Sequence, residues 1–193
     1  LEKEGLFAPE RKRLLPHPPE KIALVTSAQS AAYADFIKII SARWPLLEIE
    51  LYDVQVQGMQ AEEDIVLAFK KINEQATVDV VVLIRGGGSS DDLSVFNTEP
   101  VTRAVVASRV PTMVAIGHEI DVSLSELGAD VRASTPSNAA ELLVPDVHDV
   151  RVHLLTSERY LDTVIHDEIA RRRDDLHRAQ QLLAQHCEAF LQQ

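Results

Sequence analysis

The stretch VVVLIRGGGSSDDLSVFN, residues 80–97, opens as a core strand and breaks at an arginine. Val80, Val81, Val82, Leu83 and Ile84 form an unbroken apolar run of strand length, bounded by glycine. Such a run is the mark of a strand covered on both faces. Arg85, Gly86, Gly87, Gly88 and Ser89 follow, then the acids Asp91 and Asp92. Glycines at a strand end let the backbone turn sharply and let a ligand approach the main chain. Their N–H groups can cradle a phosphate oxygen, and an adjacent guanidinium can grip the same group with two donors. The plain structural alternative is a tight turn that needs flexible residues, and the triplet alone does not decide between them. Neither G-x-x-x-x-G-K-[ST] nor G-x-G-x-x-G is present, so the loop is not a standard nucleotide loop. Asp91 and Asp92 suit the start of a following turn or helix better than a phosphate.

Working outward, the same kind of unit recurs. KIALVTS reads as a first strand, and AAYADFIKIISARW as a helix stopped by Pro45. LLEIELYDVQV reads as a second strand, and residues 60–75 as a helix with Ile65, Ala68, Phe69 and Ile72 on one face. VDVVVLI is the third strand, residues 98–108 a third helix, PTMVAIG a fourth strand and ADVRAS a short fifth. TPSNAAELLV begins a helix with Pro136 in the first turn, where its missing N–H does no harm. Strands alternating with helices predict an α/β fold, an open, mainly parallel, doubly wound sheet of four or five strands. Ligands of such sheets sit outside the carboxyl ends of the strands, where strand order reverses. For the order 2-1-3-4-5 that point lies between strands 1 and 3. The tips there are Thr26-Ser27, Arg85-Gly86 and, on strand 4, Gly117-His118.

Residues 1–20, with RKR and four prolines, read as a linker from a missing N-terminal domain, and 21–145 as the α/β domain. From residue 146 the chain reads as the truncated start of a helical or coiled-coil region. Leu154, Leu161, Ile165, Ile169, Leu176, Leu183 and Phe190 recur there at spacings of three, four or seven, without glycine or proline. A helix that long needs a partner surface. The composition suits a soluble globular protein, with 46% apolar and 25% charged residues. No apolar run reaches membrane length. A single cysteine, Cys187, excludes an internal disulfide and fits a cytoplasmic location. Cysteine and histidine spacing matches no zinc finger or metalloprotease. The net charge of −11 argues against a basic nucleic-acid surface, although it need not describe one small site.

Other candidate residues cluster in short motifs. In GHEID, His118 and Asp121 are three apart, so one helical turn would place them on one face. A carboxylate can fix an imidazole tautomer and lift its pKa toward neutrality, which proton transfer requires. The alternative is a capping histidine beside an unrelated acid. Asp35 falls early in the first helix, at the border of its buried face, with Ser30 as N-cap; an acid there also favours a helix N-terminus unaided. Arg132 ends the short fifth strand, and Thr135 and Ser137 stand at a helix start, either an anion site or plain capping residues.

GLFAPERKRLLPHPPEKIALVTS, VQVQG, RGGGSSDDLSVFN, ASRVPTMVAIGHEID and ADVRASTPSNAAEL together resemble the exodeoxyribonuclease VII large-subunit family over about residues 5–145. The resemblance implies a nuclease that degrades single-stranded DNA from its ends to short oligonucleotides. It implies Asp35, Arg85, His118 and Asp121 as catalytic residues. It groups Gly86, Gly87, Gly88, Ser89, Asn97, Glu119, Arg132, Thr135 and Ser137 as phosphate or strand contacts. Small subunits are expected on the C-terminal helical region, and no cofactor or divalent metal is expected to be required. Asp35, Asp121 and Glu119 could still bind one ion. The sequence departs from the family at Ser30 and Ala34, where a glycine and a basic residue are usual, and at Ile120, where threonine is common. A different class stays open: a non-catalytic α/β module that senses a small anion.

Overall fold

The computed structural model describes residues 1–75, 77–86, 90–117 and 122–191, without the side chains of residues 90–92 and 185–191. Five parallel strands form one sheet: β1 (Lys21–Thr26), β2 (Glu48–Asp53), β3 (Val80–Ile84), β4 (Thr112–Ala115) and β5 (Val131–Arg132). Their order is β2-β1-β3-β4-β5, the order for which the reversal point lies between strands 1 and 3. The helices are α1 (Ala31–Arg43), α2 (Ala61–Gln75), α3 (Glu99–Val106), α4 (Leu124–Gly128), α5 (Pro136–Leu143) and α6 (Val147–Leu191). A 3-10 segment, Ser90–Asn97, precedes α3, where Asp91 and Asp92 are expected to start a turn or helix.

Alternation along each strand sends side chains to two separate cores. Ala23, Val25, Val81, Leu83 and Val114 face Ile65, Phe69 and Ile72 of α2 and Val101 and Val105 of α3. Ile22, Leu24, Val80, Val82, Ile84 and Met113 face Phe36 and Ile40 of α1 and Ala139, Ala140 and Leu143 of α5. Every residue of β3 is buried, because helices cover both faces of a central parallel strand. β2 is an edge strand and carries Glu48 and Glu50, which Lys21 of β1 bridges at 2.8 and 3.2 Å. Each large apolar side chain taken out of water contributes about 1.5–3 kcal/mol, so these two layers hold the strand tips in place.

Two compact units divide the chain, Leu1–Val147 and His148–Gln193. Residues 1–20 belong to the first unit. Arg13 locks them to the sheet. Its backbone N–H and Nε donate to Asp130 Oδ1 at 2.8 and 3.1 Å, and its Nη2 donates to Asp130 Oδ2 at 2.8 Å. The same guanidinium donates to the carbonyls of Ser108 and Val110 at 3.0 and 2.9 Å. Burial pushes the Asp130 carboxyl up, but the hydrogen bonds from Arg13 and Thr112 outweigh it and hold the pKa below the ordinary value. The second unit carries all but the first residue of the 45-residue helix α6, which exposes Leu154, Leu161, Ile165, Ile169, Leu176 and Leu183.

Candidate active site

Arg85 follows β3 directly, and its backbone N–H donates to Ala115 O of β4 at 3.1 Å. Strand alternation sends its side chain to the face shared by Val81 and Leu83. Only 4% of the residue is exposed. It opens on a cavity of about 460 Å³ lined by Ser27, Gln29, Ser30, Ala31, Gln55, Val56, Gln57, Arg85 and Gly86. These residues come from the tips of β1, β2 and β3 and from the start of α1. The cavity therefore lies where strand order reverses, between β1 and β3, as the topology rule requires.

Gly86 is there for close approach. A Cβ at this position would lie 3.3 Å from Ala32 Cβ and 3.4 Å from Ala32 N, inside the first turn of α1. The rim is held by short local bonds. Ser30 Oγ donates to Ser27 O at 2.7 Å and accepts from Tyr33 N at 3.1 Å, capping α1 as its sequence predicts. Ala28 N donates to Asp53 Oδ1 at 2.8 Å, and Val54 N donates to Thr26 O at 3.1 Å, which joins the tips of β1 and β2.

Asp35 lies one turn beyond Ala31 on α1, on the same stripe as that cavity residue. It is exposed, because Ala32, Phe36 and Ile40 take the buried stripe. It does not line the cavity. His118, Glu119, Asp121, Gly87, Gly88 and Ser89 lie outside the described residues. The anchors on either side of the GHEID motif are described. Before it, β4 pairs Ala115 with Ile84 in register, and Gly117 is two residues beyond the carbonyl that Arg85 N–H holds.

After it, Ser123 starts α4 with a capping box. Ser123 N and Oγ donate to Glu126 Oε2 at 2.7 and 2.9 Å, and Ser123 Oγ accepts from Glu126 N at 3.3 Å. Asn97 Oδ1 accepts from Leu124 N at 2.9 Å, so this exposed residue braces the start of α4. Arg132 Nε lies 3.5 Å from Glu126 Oε1, a carboxylate fully removed from solvent. Thr135 Oγ1 accepts from Asn138 N at 3.0 Å and caps α5. Ser137 lies half-buried in the first turn of α5. Thus Arg85 and Gly86 share one cavity with the β1 tip. Asn97, Arg132 and Thr135 each take part in the framework around α4 and α5.

Among the described residues the cavity lining contains one cation and no carboxylate, in a chain with 30 acidic residues. Such a lining can accept an anion despite the overall charge. Among the described residues, no group of three His, Cys, Asp or Glu side chains could hold a metal ion. Sequence reasoning passed over Gln29, Gln55 and Gln57 as site residues. Their usable signal was position, just past the carboxyl ends of β1 and β2.

The family model described as "Exonuclease VII, large subunit" matches residues 6–193. The chain belongs to the exonuclease VII large-subunit family. Among curated members, the exodeoxyribonuclease 7 large subunit of Listeria monocytogenes serotype 4b is 45% identical over 183 residues, 95% of this chain and 41% of that protein. The counterpart in Desulforudis audaxviator is 44% identical over 170 residues, 88% of this chain and 42% of its own length. That of Thermoanaerobacter sp. is 41% identical over 175 residues, 91% and 44% respectively. The chain therefore spans about two fifths of the large subunits it matches. Among its described residues, no helix is long and apolar enough to cross a membrane.

Proposed function

We propose that this chain carries the phosphodiester-hydrolysing site of an exonuclease VII large subunit, acting from the ends of single-stranded DNA. The observation that carries the reading is the buried guanidinium of Arg85, opening on a polar cavity at the strand-order reversal. In this reading the scissile phosphate sits against Arg85 and the backbone N–H groups of residues 86–89. The guanidinium offsets charge that builds on the non-bridging oxygens, in a place where little water competes. His118, oriented by Asp121, transfers a proton to or from the attacking water or the leaving oxygen. Asp35 positions the water or tunes the imidazole. This set of one arginine, one histidine and two acids works without a divalent metal, in contrast to the clustered carboxylates of two-metal sites. Asn97, Glu119, Arg132, Thr135 and Ser137 contact the strand or hold the parts that do. Small subunits dock on the exposed apolar stripe of α6, and the assembly acts in the cytoplasm. Six of the nine described residues lining the cavity are polar and one of these is a cation, which suits an anionic ligand; turnover of single-stranded DNA distinguishes this reading from a non-catalytic small-anion sensor.

The test uses the full-length large subunit with its small subunit. Arg85→Ala, His118→Ala and Asp121→Asn should each lower kcat on single-stranded DNA by about 10²–10³-fold or more, with the melting temperature retained. Near-normal rates in folded variants would show the assignment to be wrong. A chelator titration should leave the wild-type rate unchanged; loss of activity restored by a divalent ion would overturn metal independence.

A further inference from the structure

In the segment VQVQG, residues 54–58, Gln55, Val56 and Gln57 line the cavity, and nothing in the proposed chemistry uses them. Val56 is 7% exposed and packs into the core with Ile65 and Phe69 of α2. It pins the segment, and Gln55 and Gln57 on either side of it are exposed and line the cavity. The main chain here is fixed before any ligand arrives. Val54 N donates to Thr26 O at 3.1 Å, and Gln55 N donates to Asp64 Oδ2 at 3.2 Å. Gly58 has φ +91°, a left-handed conformation that suits glycine, and its carbonyl accepts from Ala61 N at 3.3 Å as α2 begins. Gln29 adds a third carboxamide from the β1 side. No hydrogen bond occupies the Gln29, Gln55 or Gln57 side chains among the described residues.

We propose that this wall is the subsite for the nucleotide next to the scissile phosphate, and that Gln55 and Gln57 hold its sugar–phosphate backbone. The inference rests on the reading of Arg85 as the phosphate-binding cation. The cavity volume, about 460 Å³, falls in the range of about 300–1,000 Å³ usual for small-ligand sites, so it suits one nucleotide unit. Single strands are commonly gripped by stacking bases on aromatic rings. Among the described residues the lining has no aromatic ring, and its polar groups are carboxamides, hydroxyls and the guanidinium. Carboxamides offer both donors and acceptors without charge. They can meet phosphate oxygens and sugar oxygens of any nucleotide, and they add no repulsion in an acidic chain. The subsite therefore orients the strand across Arg85 while ignoring base identity.

The experiment measures kcat and KM for the full-length large subunit with its small subunit, on single-stranded oligo-dT and oligo-dA. The variants are Gln57→Ala, Gln57→Glu, Gln55→Ala and Arg85→Ala. Gln57→Glu is nearly isosteric and places a carboxylate against the strand. It should raise KM about 10-fold or more, exceed the effect of Gln57→Ala, and do so equally on both oligonucleotides. Raising salt should narrow the gap between the two variants. Gln55→Ala should raise KM on both substrates in the same way. Unchanged KM in all three glutamine variants overturns the subsite while Arg85→Ala still lowers kcat by about 10²–10³-fold or more. A KM effect confined to one base also overturns it, because the wall would then read bases. If Arg85→Ala is fully active, the reading of the catalytic site itself fails, whatever the glutamines do.

Discussion

Replacing Asp130 by alanine should loosen the first compact unit by an amount that its contacts set. The carboxylate accepts five hydrogen bonds: from Arg13 N, Nε and Nη2, and from Thr112 N and Oγ1. Thr112 is 1% exposed, so its N–H loses its acceptor where water does not replace it. Stranding a buried donor costs about 1–3 kcal/mol. The ion pair adds less, about 1 kcal/mol at most, because the Arg13 side chain is 36% exposed and its charge is screened. Arg13 also keeps its two bonds to the carbonyls of Ser108 and Val110. The expected loss is about 2–4 kcal/mol, or roughly 6–12 °C in Tm at the middle of that range. Trp44, the one tryptophan in the chain, packs against the α1–α5 core, so its fluorescence reports the globular unit without the signal of α6. The loss has a pH signature as well. The folded-state pKa of Asp130 is lowered, so its contribution is complete above the ordinary value of 3.8 and disappears as pH falls through the folded value. The gap between wild type and Asp130→Ala should thus stay constant near neutrality and close in acid. A Tm change under about 2 °C at neutral pH, or a gap that widens in acid, would refute the reasoning.

Three shorter expectations follow from the same coordinates. Gly86→Val drives a branched side chain into the first turn of α1 and should cost about 1–3 kcal/mol in urea denaturation, with activity reduced; an unperturbed midpoint would show that α1 yields freely. Glu126→Ala removes the acceptor of the buried Ser123 N–H and the ion-pair partner of Arg132, and should destabilise by about 1–3 kcal/mol; a change below about 0.5 kcal/mol would deny the capping box its role. Burial and the bond to Glu50 push the Tyr52 phenol up to about 12, so one of the three tyrosines should ionise last in an alkaline absorbance titration. Glu50→Gln should bring that step down, and an unmoved step would assign it to another tyrosine.

The strand order, and with it the cavity's place between β1 and β3, came from tertiary packing, whereas the strands, the helices and the doubly wound, mainly parallel sheet were readable from the chain alone. Local pattern decides them: the all-apolar run Val80–Ile84 must be covered on both faces, and the regular alternation of strands and helices permits a mainly parallel sheet. Ser30 and Thr135 were legible for the same reason, since a cap bonds within its own turn. Their neighbours were harder. The bond from Leu124 N to Asn97 Oδ1 joins residues 27 apart, so no local pattern reveals it. Glu126 lies beside Arg132, and the motif ADVRASTPSNAAEL that singles out Arg132 does not include it. In residues 1–20 prolines and charges carry no periodicity, so the sequence does not show what they pack against. Arg13 ties them down through Asp130, 117 positions along.

The sequence by itself thus determined which segments become strands and helices, and which tips carry glycine, arginine and acid. Tertiary structure alone decided that Gln29, Gln55, Gln57 and Arg85 face one space, and that Asp35 stands outside its lining. Hydrophobic periodicity is a property of neighbours in the chain, whereas a cavity wall is assembled from separate strand ends. Only the packing of one strand on the next brings those ends together.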